Sequence, residues 1–242
     1  MTGITNEYQQ PVGNALPEWK PCPRPERITL EGRYCRLEPL SRVHAADLWA
    51  AWSTAKDDRG WTYLSIGPFA EQQQFSDFIA SAAQSNDPLH YAVVDSRSGK
   101  ALGSLSLMRI DPANGVVEVG FVMYTPLLQR TVQATEAHFL LMKYAFGLGY
   151  RRYEWKCDSL NAPSHQAAIR LGFSYEGLFR QAIVYKQRTR DTAWFSIIDS
   201  EWPTLEQAFE RWLSVENMPG GVQKMGLSQI RDSLNHRCPT DI

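Results

Sequence analysis

The sequence predicts an α+β protein in three layers, a mixed and mostly antiparallel central sheet of about seven strands flanked by helices. Three observations predict it. Strand patterns at residues 89–95, 101–110 and 116–124 follow one another as a meander, joined by Ser98-Gly99 and by Asn114-Gly115, a strong hairpin signal. Residues 132–146 carry apolar side chains nearly all round, among them Ala137, Phe139, Leu140, Leu141, Met142, Tyr144 and Phe146, as a helix covered on most sides does. Between the two, residues 127–137 turn directly from strand to helix. The first N–H groups of that helix then have no intrahelical partner and can hold an anion, helped by the helix dipole.

The remaining elements follow in order. Residues 1–27 hold Pro11, Pro17, Pro21, Pro23 and Pro25, too many for a helix or a central strand. They read as an extended arm that packs through Leu16 and Trp19. Residues 28–40 alternate as a strand pair turning at Glu31-Gly32. Ser41 caps a helix to about residue 53, with Ala45, Leu48, Trp49 and Trp52 at helical spacing. A second helix, at about 70–85, has Phe75, Phe78, Ile79 and Ala82 on one face. Gly147 and Gly149 end the long helix after the meander. A strand follows at 151–157, then a short helix at 161–171 stopped by Gly172. Residues 173–184 and 192–202 read as a closing hairpin around 186–191. Thr204-Leu-Glu-Gln207 after Pro203 has the capping-box form, and Leu205, Ala208, Phe209, Trp212 and Leu213 make an amphipathic stripe. Patterning is weak from Pro219, which predicts a loosely held tail. The chain thus divides into an arm (1–27), a domain (28–202) and a C-terminal helix with its tail (203–242).

Composition excludes several classes of function. The 242 residues are 43% hydrophobic and 21% charged, with a net charge of −1, ordinary for a soluble domain with a sizeable core. That balance gives no pull toward nucleic acid, and no basic stripe with interleaved aromatics is present. No apolar run nears the roughly 20 residues that span a bilayer, and the first residues lack a signal-peptide pattern. Cys22, Cys35, Cys157 and Cys238 have no metal or disulfide spacing. The expectation is a cytoplasmic protein without a metal.

The anion-binding turn has further motifs around it. Glu118-Val-Gly-Phe121 precedes it and Ala134-Thr-Glu-Ala137 completes it. Asn161-Ala-Pro-Ser164, Leu171-Gly-Phe173 with Glu176-Gly177, and Asp191 with residues 194–199 follow. In this order and spacing the chain resembles the GNAT acyl-CoA N-acyltransferases, specifically the RimJ/RimL-like branch, over roughly residues 28–202. The resemblance implies a sheet splayed at the strand before the cofactor helix, acetyl-CoA or coenzyme A as co-substrate, and a primary amine as acceptor. The acceptor is a protein N-terminal α-amine or a small molecule. No membrane or nucleic-acid partner is implied, and a homodimer is compatible with the branch without any sequence signal for it.

The resemblance also implies roles. Backbone donors near Phe121, Val122 and Met123 would face the thioester oxygen, and Gln129, Arg130, Thr131, Val132, Gln133, Ala134 and Thr135 would form the pyrophosphate turn. One departure stands out: Val132 replaces a glycine usual in that turn, with Thr131 or Arg130 available to compensate. Asn161 would contact the pantetheine arm. Glu118, the single carboxylate of its strand, would be the general base, or else a structural partner to an arginine. The family's usual tyrosine proton donor is replaced by Ala168, which leaves Ser164 as donor or as a helix cap. Trp61 and Tyr63 would wall the acceptor pocket beside Glu118. Asp191, after Arg188 and Arg190, reads as a hairpin organiser first and an acceptor-site residue second. Acetyl transfer is the leading activity, and a CoA-binding regulatory module without turnover is the alternative.

Overall fold

The structure, a computed structural model, describes residues 4–235. A small hairpin of β1 (Ile4–Thr5) and β2 (Pro11–Val12) begins the arm. The other strands are β3 (Leu30–Glu31), β4 (Cys35–Pro39), β5 (Leu89–Asp95), β6 (Ala101–Asp111), β7 (Val116–Tyr124), β8 (Arg152–Asp158), β9 (Ser174–Tyr185) and β10 (Arg188–Ile198). They form one sheet in the order β3-β4-β5-β6-β7-β8-β10-β9. The strands number eight rather than about seven, the two-residue β3 forming one edge. Among the described residues only β7 and β8 pair in parallel. The helices are α1 (Ala45–Trp52), α2 (Gln72–Ala82), α3 (Val132–Gly147), α4 (Ala162–Leu171), α5 (Trp202–Leu213) and α6 (Leu227–Asn235).

Side chains alternate across the strands and build a core on each face. On one face Leu37, Tyr91, Val93, Leu105, Val119 and Phe195 pack against α3, α4 and α5. On the other, Ala92, Val94, Ala101 and Met123 pack against α1 and α2. β7 serves both faces because it carries a bulge: Ser106 pairs with Gly120, but Ser104 pairs with Met123. The extra residue puts Met123 on the face opposite Val117 and Val119. Phe121, within the bulge, has φ +46.

Several expectations are corrected. The arm is held by Trp19, whose indole donates to Ala113 O at 2.9 Å, and by buried Cys22, while Leu16 is exposed. The β9–β10 turn is just Lys186-Gln187, both with positive φ, so it escaped a search for glycine and asparagine. β10 stops at Ile198, and Trp202 already belongs to α5. Glu201 is the N-cap of α5 and Thr204 lies inside it, so no capping box forms there. The tail is not loose over its described part, because α6 buries Leu227 and Ile230 against the main core. Cys238 lies outside the described residues.

Candidate active site

The site begins where β7 and β8 part. Their parallel pairing runs from Val116↔Arg152 to Val119↔Trp155 and goes no further. From Gly120 to Tyr124, β7 keeps β6 on one side and has no strand on the other. The fork therefore leaves the edge of 120–124 turned away from β6 without a described strand partner, next to the bulge at Phe121.

The turn after β7 leads into this fork. Arg130 adopts φ +61 and Thr131 becomes the N-cap of α3. The Thr131 hydroxyl accepts from Ala134 N–H at 3.2 Å and donates to Leu128 O at 2.6 Å. The N–H groups of Val132 and Gln133 have no acceptor among the described residues, so the start of α3 keeps unpartnered donors, the arrangement that suits an anion. Val132 packs its side chain partly against the main core. Several side chains of the turn instead hold protein groups. The Gln129 amide donates to Tyr124 O (2.8 Å), the Gln133 amide donates to Asp95 (2.8 Å), and Thr135 Oγ1 accepts from Arg170 Nη2 (2.9 Å).

α4 closes the other side of the fork. Asn161 is its N-cap and accepts from Ser164 N–H at 3.2 Å. Ser164 Oγ in turn accepts from Trp155 Nε1 at 3.0 Å, and its own proton lies within reach of the Cys157 sulfur. The helix ends at Gly172, φ +104, where a Cβ would lie 2.6 Å from Leu205 Cδ2; this explains Leu-Gly-Phe in the sequence. On the main-core face Tyr124, His138 and Trp155 make a row from β7 through α3 to β8, with ring separations of 5.5 and 5.1 Å. His138 is buried and neutral, burial pushing its pKa down to about 3. Burial also pushes the Cys157 thiol up, away from nucleophilic use.

On the sheet face that carries α1 and α2, charge alternates from strand to strand. Glu118 is 6% exposed, with Lys156 Nζ at 2.8 Å and Arg109 Nε at 3.3 Å, both on Oε2. Lys156 also pairs with Glu154 (2.8 Å), and Arg152 links Glu154 (2.7 Å) to Glu176. Burial raises the Glu118 pKa against the opposing pull of the two cations. Thus Glu118 is both a buried carboxylate and the partner of a cation, and its Oε1 is left without an ion pair.

The acceptor-side aromatics separate. Trp61 is a core residue, its ring 4.2 Å from that of Trp52 and 5.6 Å from that of Phe69, so it does not wall a cleft. Its carbonyl does accept from Lys186 at the hairpin tip, 2.7 Å away. Tyr63 bridges to Leu160 O at 3.0 Å. Asp191 accepts from Gln181 N–H at 2.7 Å, a hairpin contact. Sequence reasoning overlooked Lys156 and His90. Their signal was a polar residue alternating with apolar ones along a strand, and strand order is needed to see what they face.

Comparison with known proteins agrees with this architecture. The family model for the acetyltransferase (GNAT) domain matches residues 35–174. A GCN5-related N-acetyltransferase from Brucella melitensis is 51% identical, covers 90% of this chain and all of its own (100%), and superposes with a TM-score of 0.87. A probable GNAT-family acetyltransferase from Chromobacterium violaceum is 41% identical at a TM-score of 0.74, covering 80% of this chain and 98% of its own. The ribosomal-protein-serine acetyltransferase of Escherichia coli (strain K12) is 29% identical over 106 residues, 43% of this chain and 59% of that protein's length. With the splayed β7–β8 pair, the cradle opening α3 and a domain match over more than half its length, this chain belongs to the GNAT acetyltransferase family.

Proposed function

We propose that the protein transfers an acetyl group from acetyl-CoA to a primary amine by direct attack in a ternary complex. The observation that carries this reading is the fork itself: β7 leaves β8 beyond Val119, at the bulge of Phe121, and runs into the unpartnered N–H groups of Val132 and Gln133. When bound, acetyl-CoA supplies the activated acetyl thioester. The protein's part is to bind, orient and move protons. The Val132 and Gln133 N–H groups and the Arg130 side chain suit the pyrophosphate, and Asn161 at the mouth of α4 suits the pantetheine arm. Free backbone donors of Phe121–Met123 suit the developing oxyanion. The Ser164 hydroxyl, already accepting from Trp155, has its proton to give to a leaving sulfur. Glu118 attracts the ammonium to the opposite face of the fork and offers Oε1 to its first proton.

The name of the Escherichia coli relative makes a protein α-amine the first acceptor to test. The assay follows thiol release over a serine-initiated hexapeptide, putrescine, tyramine and glucosamine, beside calorimetry with acetyl-CoA. Micromolar binding with thiol release for at least one amine is the expected outcome. Binding without release for any of them favours a CoA-binding regulatory module, and absence of binding overturns both readings.

A further inference from the structure

His90 lies on β5 with its backbone between those of Leu89 and Tyr91, and its side chain shares the face of Ala92 and Val94. Its cross-strand partner is Ser106, whose own partner on β7 is Gly120. This row ends at the bulge: the His90 and Phe121 rings meet edge to face, 5.3 Å between centroids. Ser106 Oγ donates to Gly120 O at 3.0 Å and so fixes the strand at the residue before the bulge. Around His90 the sheet presents small side chains, Ala92, Ser104 and Ser106.

The residue is 4% exposed, yet its ring does not behave as a satisfied core histidine. Neither nitrogen hydrogen-bonds a described residue, and neither is among the fully sealed polar atoms without a partner. The ring nitrogens are therefore not completely sealed, with Phe121 beside them. Burial, with Arg27 as the nearby charge, pushes its pKa down to about 4, so at neutral pH the ring is uncharged and can accept a proton. Arg27 is held at the Ser85 carbonyl, and the carboxylate on the same face of β7 is Glu118, whose Oε2 is held by Lys156 and Arg109.

Resting on the acetyltransferase reading above, we propose that His90 is a catalytic proton acceptor for the incoming amine, acting after Glu118. Forming the amide from an ammonium removes two protons from nitrogen, as the C–N bond forms and the C–S bond breaks. Glu118 takes the first, from the ammonium. Once nitrogen is bonded to the acetyl carbon it is positively charged and carries two protons; the one it must lose is far more acidic, and a weakly basic imidazole suffices to take it. One of the two protons ends on the sulfur through solvent and Ser164, and the other in bulk water. This division gives a role to a titratable ring that stands unpaired among the small side chains of Ala92, Ser104 and Ser106, on the same sheet face as Glu118.

The test uses the full chain, comparing wild type with His90→Gln and His90→Ala on whichever probe amine the wild type acetylates. The glutamine variant should lose about 10²-fold in kcat with acetyl-CoA affinity and melting temperature kept, and the alanine variant should regain about tenfold with added imidazole. A purely structural histidine would not respond to imidazole. A kcat within about threefold of wild type in a folded His90→Gln protein would overturn the role of His90 alone. A wild type that binds acetyl-CoA but releases no thiol with any probe overturns the transferase reading and the role of His90 with it.

Discussion

Val132 stands where the resemblance to the family implies a glycine, and the fold shows where its side chain goes instead. Its side chain leans on the main core, while its N–H stays in the cradle with that of Gln133. Val132→Gly should therefore leave acetyl-CoA affinity within about threefold, because backbone donors rather than side-chain room hold the anion. The same change should lower stability by about 1 kcal/mol through lost packing and a flexible first helical residue. Calorimetry and a urea melt separate the two effects, and a large affinity gain would show that the valine crowds the phosphate. At this scale the sequence was legible where a local rule decides, as with Gly172 ending α4, while the capping roles of Thr131 and Asn161 emerged only with the fold. It was illegible where a side chain's surroundings decide. Trp61 looked like a pocket wall because its loop follows α1, but Trp52 and Phe69 enclose it. His90 gave no local sign that Phe121, far along the chain, would stand beside it.

Among the elements, α3 does most to fix the frame of the site, and Glu136 is its anchor. Its carboxylate accepts from three successive backbone donors of the β3–β4 turn, Arg33 N (2.8 Å), Tyr34 N (2.6 Å) and Cys35 N (2.7 Å). Gly32 is required beside it, since a Cβ there would lie 2.7 Å from Glu136 Cδ and 2.5 Å from Cys35 O. Glu136→Ala should cost about 3 kcal/mol or more, because it leaves buried donors unmet as well as removing charge-assisted bonds. A denaturant titration measures it; a loss below about 1 kcal/mol would mean that water replaces the carboxylate. Element identity and order were mostly readable, because alternation, glycine stops and Asn114-Gly115 act over short distances. The end of β10 and the start of α5 were not. Residues 199–202 pass from strand to helix within a few positions, and Trp202 suits either element until it stacks on Phe146 at 4.8 Å.

Across the whole molecule, the C-terminal segment shares the main core with the sheet. Phe139 stacks on Phe209 at 5.3 Å, and α5 buries Trp202, Leu205, Phe209, Trp212 and Leu213. Those five side chains are worth on the order of 10 kcal/mol, comparable with the entire net stability of a typical domain. A chain ending at Ser200 should therefore fail to show a cooperative thermal transition by circular dichroism. A sharp transition within a few degrees of the full chain's would mean that the division at residue 202 read from the sequence is a physical one. The bulge in β7 bears on the same unity. Because it hands Met123 to one core after Val117 and Val119 have served the other, the strand is a length gauge shared by both. The number of residues from 120 to 122 is thus fixed by both cores at once. Removing one of them would turn every later side chain of β7 over, emptying a place in one core while overfilling the other.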